Sequence, residues 1–344
     1  MSLLKDAMLG MMKKAIPHLP HRLVPGGKPD PLIDAHSEVI GVPTSRLDGA
    51  RKVTGAAPFA AEFALDGMVY AAIAHSTIAK GRVTRIETAE ASRAPGVQLV
   101  MTHHNAPKLK PIPYFLEADK AGAGDNLPVM QDDRIHWNGQ PIAIVLATTH
   151  EQAQHASTLI RAEYTPEPAI TSFAAARDAG LAIARFQGEN LEHASGDAEA
   201  ALAAAPHRVD AVYRTPRHNH NAIEPHAVTV EWRGNELYVH DATQGVSHTA
   251  WSLAEAFGID EHLVHVTSPF VGGGFGSKMV WQHHVLAAAA ARQLGRPVRL
   301  ALPREGVYRL VGGRTCTEQR VAIGAQADGR FDALIHTGVV AITA

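Results

Sequence analysis

Ten consecutive residues constrain this chain more than any others: Pro269-Phe270-Val271-Gly272-Gly273-Gly274-Phe275-Gly276-Ser277-Lys278. They lie between an apolar stretch with strand character, 263–267, and a stretch with helical character, 280–294, that stops at Gly295. A tight strand-to-helix turn needs one glycine or two, whereas four of the five positions 272–276 are glycine. Backbone without side chains can approach a ligand closely, and amides entering a helix can donate to anionic or oxo groups. The lysine follows serine rather than glycine and the first glycine is wrongly spaced, so the stretch is not a Walker P-loop, and it does not fit the dinucleotide fingerprint.

The rest of the composition removes whole classes of function. A formal net charge of -2 gives no basic field for a phosphate backbone, so nucleic acid is not an expected partner. One cysteine, Cys316, excludes an internal disulfide framework and any multi-cysteine zinc or iron–sulfur site. No apolar run is long enough to span a bilayer. The start of the chain, 1–16, spaces its apolar residues as an amphipathic helix does and lacks the apolar core and cleavage site of a secretory signal, which points to the cytoplasm, with the periplasm open if a signal-bearing partner exports the complex.

Prolines at 17, 20, 25, 29, 31 and 43 make an extended arm, so that 1–45 reads as helix and arm. From 46 to 170 strand and helix patterns alternate: strands at 68–74 and 97–102, a helix at 89–94, and Asn138-Gly139 as a hairpin turn between 134–137 and 141–148. A helix follows at 151–161, and the Pro- and Ala-rich 171–195 reads as a linker. The region 196–344 restarts with a helix at 198–205 and strands at 208–214, 227–232 and 236–241. A helix at 246–257, the glycine stretch with its flanks, a strand at 297–302 and a hairpin over 320–326 and 331–342 complete it. The fold class expected is α+β. The last apolar strand stops two residues before Ala344 without cap or polar tail, so the chain is expected to be the front part of a longer protein.

Gly272-Gly273-Gly274-Phe275-Gly276-Ser277-Lys278 after Ser268-Pro269 resembles the glycine-phenylalanine loop that faces the metal in the aldehyde oxidase and xanthine dehydrogenase family. Asp241-Ala242-Thr243-Gln244 is similar to the family's strand-end segment, and Ala222-Ile223-Glu224-Pro225-His226 to a motif of its aldehyde- and carbon monoxide-oxidising branches. Residues 55–74, Ala94-Pro95-Gly96-Val97 and Asn138-Gly139-Gln140-Pro141-Ile142-Ala143 resemble the family's α/β hammerhead domain, so the likeness spans about 46–343.

The resemblance implies a hammerhead domain followed by the first part of a mixed α/β molybdenum-cofactor-binding domain. It implies a molybdenum–molybdopterin cofactor, its tail form (cytosine dinucleotide among them) left open, contacted by Gln244, Gly273, Gly274, Phe275 and Gly276. A neutral amide at Gln244 suits that task, because it orients a metal ligand without adding charge to a centre that changes oxidation state. The implied reaction oxidises aldehydes or related carbonyl or heterocyclic compounds with oxygen from water, electrons leaving through a small iron–sulfur subunit and an FAD-binding subunit. The base glutamate and most pterin contacts would belong to the family's C-terminal region, so no catalytic residue is expected in this chain, and the isolated 344 residues are expected neither to hold the cofactor firmly nor to turn over.

Where purine-oxidising relatives have a glutamate after the loop lysine, this chain has Met279, which cannot accept a hydrogen bond from a purine N–H and argues against purine hydroxylation. Ser277 stands where glycine is common. His218, His220 and His226 with Glu224 offer imidazole and carboxylate, but their spacing follows no helix or hairpin rule, so packing near the cofactor is favoured over a metal site. His103 with His104 and His283 with His284 read as solvated pairs, and Cys316 as a thiol without a base. Two other readings stay open: a catalytically inactive module that docks other subunits, and a hydrolase using the histidine cluster.

Overall fold

The computed structural model describes residues 41–341 apart from 114–119, 128, 179, 181 and 187–188; the expected amphipathic helix and most of the proline arm therefore lie outside the described residues. Contacts divide the chain into two units, 1–57 and 58–344. The described part of the first holds one short helix, α1 (Gly49–Val53), where Asp48 pairs with both Arg46 and Lys52.

The second unit is organised by one seven-stranded mixed sheet. Its strands are β1 (Val69–His75), β3 (Val97–Thr102), β5 (Pro141–Ala147), β10 (Ala227–Arg233), β11 (Glu236–Asp241), β12 (Val264–Thr267) and β13 (Val298–Ala301), in the spatial order β12-β11-β10-β13-β1-β5-β3. Strands from both sides of the 171–195 stretch thus share a sheet, joined where Val69 pairs with Val298 in the parallel β1–β13 ladder. β5 is buried along its whole length, as its unbroken apolar run requires of a strand covered on both faces. One face packs on α7 (Gln282–Leu294), whose Val285 to Ala291 join Ile144, Leu146, Val228 and Leu300 in the main core, together with Leu253 of α6 (Val246–Phe257). On the other face Ala153 of α3 (His150–Thr158) meets Ala72 and Ala147. Both α6 and α7 end at glycines, Gly258 and Gly295, as the sequence predicts.

Two smaller sheets flank this core. β2 (Gly81–Glu87) lies between β4 (Arg134–Ile135) and β6 (Arg161–Pro166), with α2 (Ala89–Arg93) leading from β2 to β3. Beyond α4 (Phe173–Arg177), the short pair β7 (Arg185–Phe186) and β8 (Glu189–Asn190), and α5 (Ala198–Ala204), an outer sheet runs β15-β14-β9 from β9 (His207–Thr215), β14 (Thr317–Ala325) and β15 (Phe331–Val340). A further helix, α8 (Arg304–Leu310), follows β13 and was not expected from the sequence. Among the described residues, no helix is long and apolar enough to cross a membrane.

The Asn138-Gly139 turn forms, with the Gln140 amide donating to the Trp137 carbonyl at 3.2 Å, yet it does not close a hairpin. β4 pairs with β2, whereas β5 pairs with β1 and β3. The dipeptide specifies a local reversal, but burial of β5 decides which strands it joins. By contrast Gly234-Asn235 does link a true hairpin, with Arg233 opposite Glu236.

Candidate functional site

The carboxyl end of β11 carries Asp241-Ala242-Thr243-Gln244 into the start of α6, and the glycine stretch crosses the same sheet end between β12 and α7. The two segments are stitched together. The Gln244 amide donates to the Lys278 carbonyl at 2.9 Å, and Gln244 Oε1 accepts from the amides of Gly276 at 2.9 Å and Lys278 at 3.3 Å. Because only the side-chain oxygen can accept, these bonds fix the orientation of the carboxamide and leave its Nε2 as an available donor on an exposed side chain. A Cβ on Gly274 would stand 2.5 Å from Gln244 Cδ, so glycine is what lets the strand end and the loop touch.

The start of the loop is tied down separately. The Gly272 amide donates to Glu224 Oε2 at 2.6 Å, the Glu224 amide donates to the Gly272 carbonyl at 3.2 Å, and the Lys278 ammonium donates to the same Oε2. Lys278 is fully buried, and burial holds its ammonium below the usual lysine range while Glu224 opposes that shift. Ser277 Oγ donates to the Gly274 carbonyl at 2.7 Å, and the Ser277 carbonyl accepts from Trp281 Nε1 at 2.6 Å.

Between these ties Gly273 is half-buried and Gly274 buried, while Phe275 and Gly276 are exposed. The amides of Gly273, Gly274 and Phe275 donate to no acceptor among the described residues. Phe275 adopts φ 58°, a left-handed conformation that costs a bulky residue roughly 1–3 kcal/mol, and its ring is 62% exposed. The residues expected to contact the cofactor, Gln244, Gly273, Gly274, Phe275 and Gly276, are therefore in one place, with available donors grouped on them.

Behind the loop lies a buried histidine group. His226 Nε2 lies 2.9 Å from the Ser277 carbonyl, so that nitrogen carries the proton, and burial pushes the His226 pKa down to about 4. His284 Nε2 lies 3.0 Å from both Asp241 oxygens and donates to them, while its Nδ1 accepts from the Trp281 amide at 3.1 Å. His283 is wholly buried, neither ring nitrogen has a partner among the described residues, and desolvation holds it well below the usual imidazole range. The expectation that His283 and His284 are solvated is thus corrected. α7 is buried from Gln282 to Ala291, because the large sheet lies on one side of it and α6 and the segment around Ala123 to Met130 pack into the same core. Their placing on different sides of the helix led both to be read as solvated, and that inference fails for a helix with no solvent face over these residues.

His218, His220, His226 and Glu224 do not converge. Glu224 is engaged with Lys278 and Gly272, His226 with Ser277, and the His218 amide donates to the Arg314 carbonyl at 3.0 Å. Among the described residues, no group of three or more His, Cys, Asp or Glu side chains could hold a metal ion. His220, Ala222, His226, Ser277, Arg304 and Tyr308 instead line a small pocket behind the loop. Glu305 is paired with Arg309, and Cys316 is half-buried at the entry to β14. Sequence reasoning missed the Glu224–Lys278 tie. Its one signal was a lone lysine closing a run of small residues, with carboxylates at Glu224 and Asp241 in the other motifs as candidate partners.

A family model described as molybdopterin cofactor-binding domain matches residues 184–342, and one described as the a/b hammerhead domain of aldehyde oxidase and xanthine dehydrogenase matches 54–168. The chain is 34% identical over 304 residues to the aldehyde oxidoreductase molybdenum-binding subunit PaoC of Escherichia coli strain K12, covering 87% of this chain and 40% of that protein. It is 28% identical over 306 residues to the nicotinate dehydrogenase large molybdopterin subunit of Eubacterium barkeri, covering 86% of this chain and 69% of that one. The crystal structure of quinoline 2-oxidoreductase from Pseudomonas putida 86 matches with a TM-score of 0.75 at 25% identity, covering 86% of this chain and 38% of its own. The chain therefore spans about 40% of the length of PaoC.

Proposed function

The chain belongs to the aldehyde oxidase and xanthine dehydrogenase family as a molybdopterin-binding subunit, and from that premise we propose that it holds a molybdenum–molybdopterin cofactor against Gln244 and the loop 273–276. The enzyme it serves would oxidise an aldehyde, or a related carbonyl or heterocyclic compound, with oxygen from water. The observation that carries this reading is the grouping of donors without an acceptor among the described residues: three consecutive loop amides and Gln244 Nε2, where a Cβ at Gly274 would meet the Gln244 carboxamide.

When bound, such a cofactor supplies an activated water oxygen and accepts two electrons. The chain's own residues supply placement. Gln244 Nε2 would offer one neutral hydrogen bond, and the loop amides would offer dipoles held in place by the ties at either end, so neither need reorganise much as charge shifts on the bound group. The Phe275 ring lies against Gly273 and would present an apolar surface to a bound group beside those donors. Glu224 and Glu305 are both committed to ion pairs, so neither is assigned as the base. One cysteine cannot ligate a cluster, so electrons would leave through a small iron–sulfur subunit and an FAD-binding subunit. Met279 after the loop lysine supports an aldehyde or a neutral heterocycle over a purine as substrate.

The test is purification with native partner subunits from the natural host. Molybdenum and pterin equimolar with the chain, together with dye reduction by an aromatic aldehyde and none by hypoxanthine, is the expected result. A complex that holds its partners but carries neither metal nor pterin would overturn the reading and favour a docking module.

A further inference from the structure

We propose that Glu224 is a positioning residue: with the buried ammonium of Lys278 it forms a strut that sets where the unpaired amides of Gly273, Gly274 and Phe275 stand. The inference rests on the cofactor reading only for what those amides meet.

The loop could be held in many ways by hydrogen bonds alone, and its far end is, through Gln244. The near end is different. Glu224 Oε2 takes two donors at once, the Gly272 amide and the Lys278 ammonium, so one oxygen joins the first and last residues of 272–278. Lys278 in turn joins both clamps, its amide on Gln244 Oε1 and its ammonium on Glu224. The seven residues thereby form a closed ring whose ends cannot drift apart without leaving a charge unpaired where water does not reach. The Lys278 side chain is fully buried and that of Glu224 only 13% exposed. A strained Phe275 backbone persists in such a ring because the surroundings over-determine it. A Cβ on Gly272 would sit 2.5 Å from Glu224 Cβ, so the close approach is built into the backbone. Because a buried ion pair often stabilises no more than hydrophobic residues of the same volume, the role assigned to this one is geometric.

Amide hydrogen exchange read by mass spectrometry on the native complex tests this without relying on turnover. In Glu224→Gln, exchange of a peptide covering 270–279 should rise by roughly tenfold or more while the peptide covering β5 keeps its protection, and molybdenum content should fall. Should that variant lose protection throughout, the double variant Glu224→Gln with Lys278→Met decides, since it removes the strut but leaves no buried charge alone. Faster loop exchange with an intact β5 supports the strut; loop exchange equal to that of the parent overturns it, because Gln244 alone would then hold the loop. If the parent complex carries no molybdenum yet its loop still loosens in the variants, the cofactor reading fails and the strut stands.

Discussion

The buried pair of Lys278 with Glu224 beside the glycine loop and the exposed network of Arg320 with Glu199 and Asp210 on the outer sheet have the same chemistry at different depths. Arg320 Nε donates to Asp210 Oδ1 at 2.9 Å and its Nη1 to Glu199 Oε1 at 2.6 Å, geometry as good as any near the loop. Hydrogen bonds from Arg320 hold both carboxyls below the usual range, yet water reaches every partner and can replace each bond. At Lys278 no water can substitute, and burial lowers the ammonium pKa rather than raising it. Good geometry is thus no guide to importance: solvent access decides whether an ion pair merely decorates a surface or holds a backbone in place.

The sharpest break of that comparison is Lys278→Met alone. It strands Glu224 without its cation and should cost about 3–5 kcal/mol in urea unfolding. A cost as small as that of a surface substitution would mean that the pair is not sealed from water. Next in size is Gly274→Ala, whose methyl must displace Gln244 and should cost roughly 1–3 kcal/mol while lowering molybdenum content in the native complex. Unchanged metal content there would separate the close approach from cofactor retention.

Acid sensitivity sharpens the contrast further. His226, with a pKa of about 4, and His283, held by burial well below the usual imidazole range, both stay neutral in the native chain at pH values where the unfolded chain takes up protons. Their contribution to stability is therefore complete above the unfolded value near 6.5 and is lost as pH falls from there toward about 4. Asp125, raised to about 6 by burial, works in the opposite sense between that value and 3.8, so total acid denaturation is a poor measure. The difference between parent and His283→Leu isolates the histidine. The variant should be as stable as the parent at pH 7.5, since no bond is lost, and should lose about one proton, roughly 1.4 kcal/mol per pH unit, from the slope below pH 6. Identical slopes would show that His283 is reached by water. The smallest effect expected is that of Arg320→Ala, which should move the thermal midpoint by no more than about 2 °C, less still in high salt.

The same division separates what was readable in the sequence from what was not. Turn and cap chemistry is local, so the ends of α6 and α7 at Gly258 and Gly295 and the Gly234-Asn235 hairpin follow from the residues there. The Asn138-Gly139 turn was equally local, and yet its flanking strands went to different sheets, because partner choice belongs to the core and not to the turn. The candidate site shows the same limit. Gln244 and the glycine loop were visible as motifs, whereas Lys278 and Glu224, 54 positions apart, form a pair that spacing does not reveal.

By itself the sequence determined that a glycine-rich turn enters a helix beside a polar strand end, that no cluster of cysteines competes for the chemistry, and which family's motifs the chain carries. Only the tertiary structure decided that Gln244 turns its nitrogen outward, that His283 and His284 lose their solvent face, and that one carboxylate oxygen closes the loop into a ring. The reason is that propensity and spacing act between near neighbours, while burial, which sets the strength of every polar contact at this site, is a property of the packed whole.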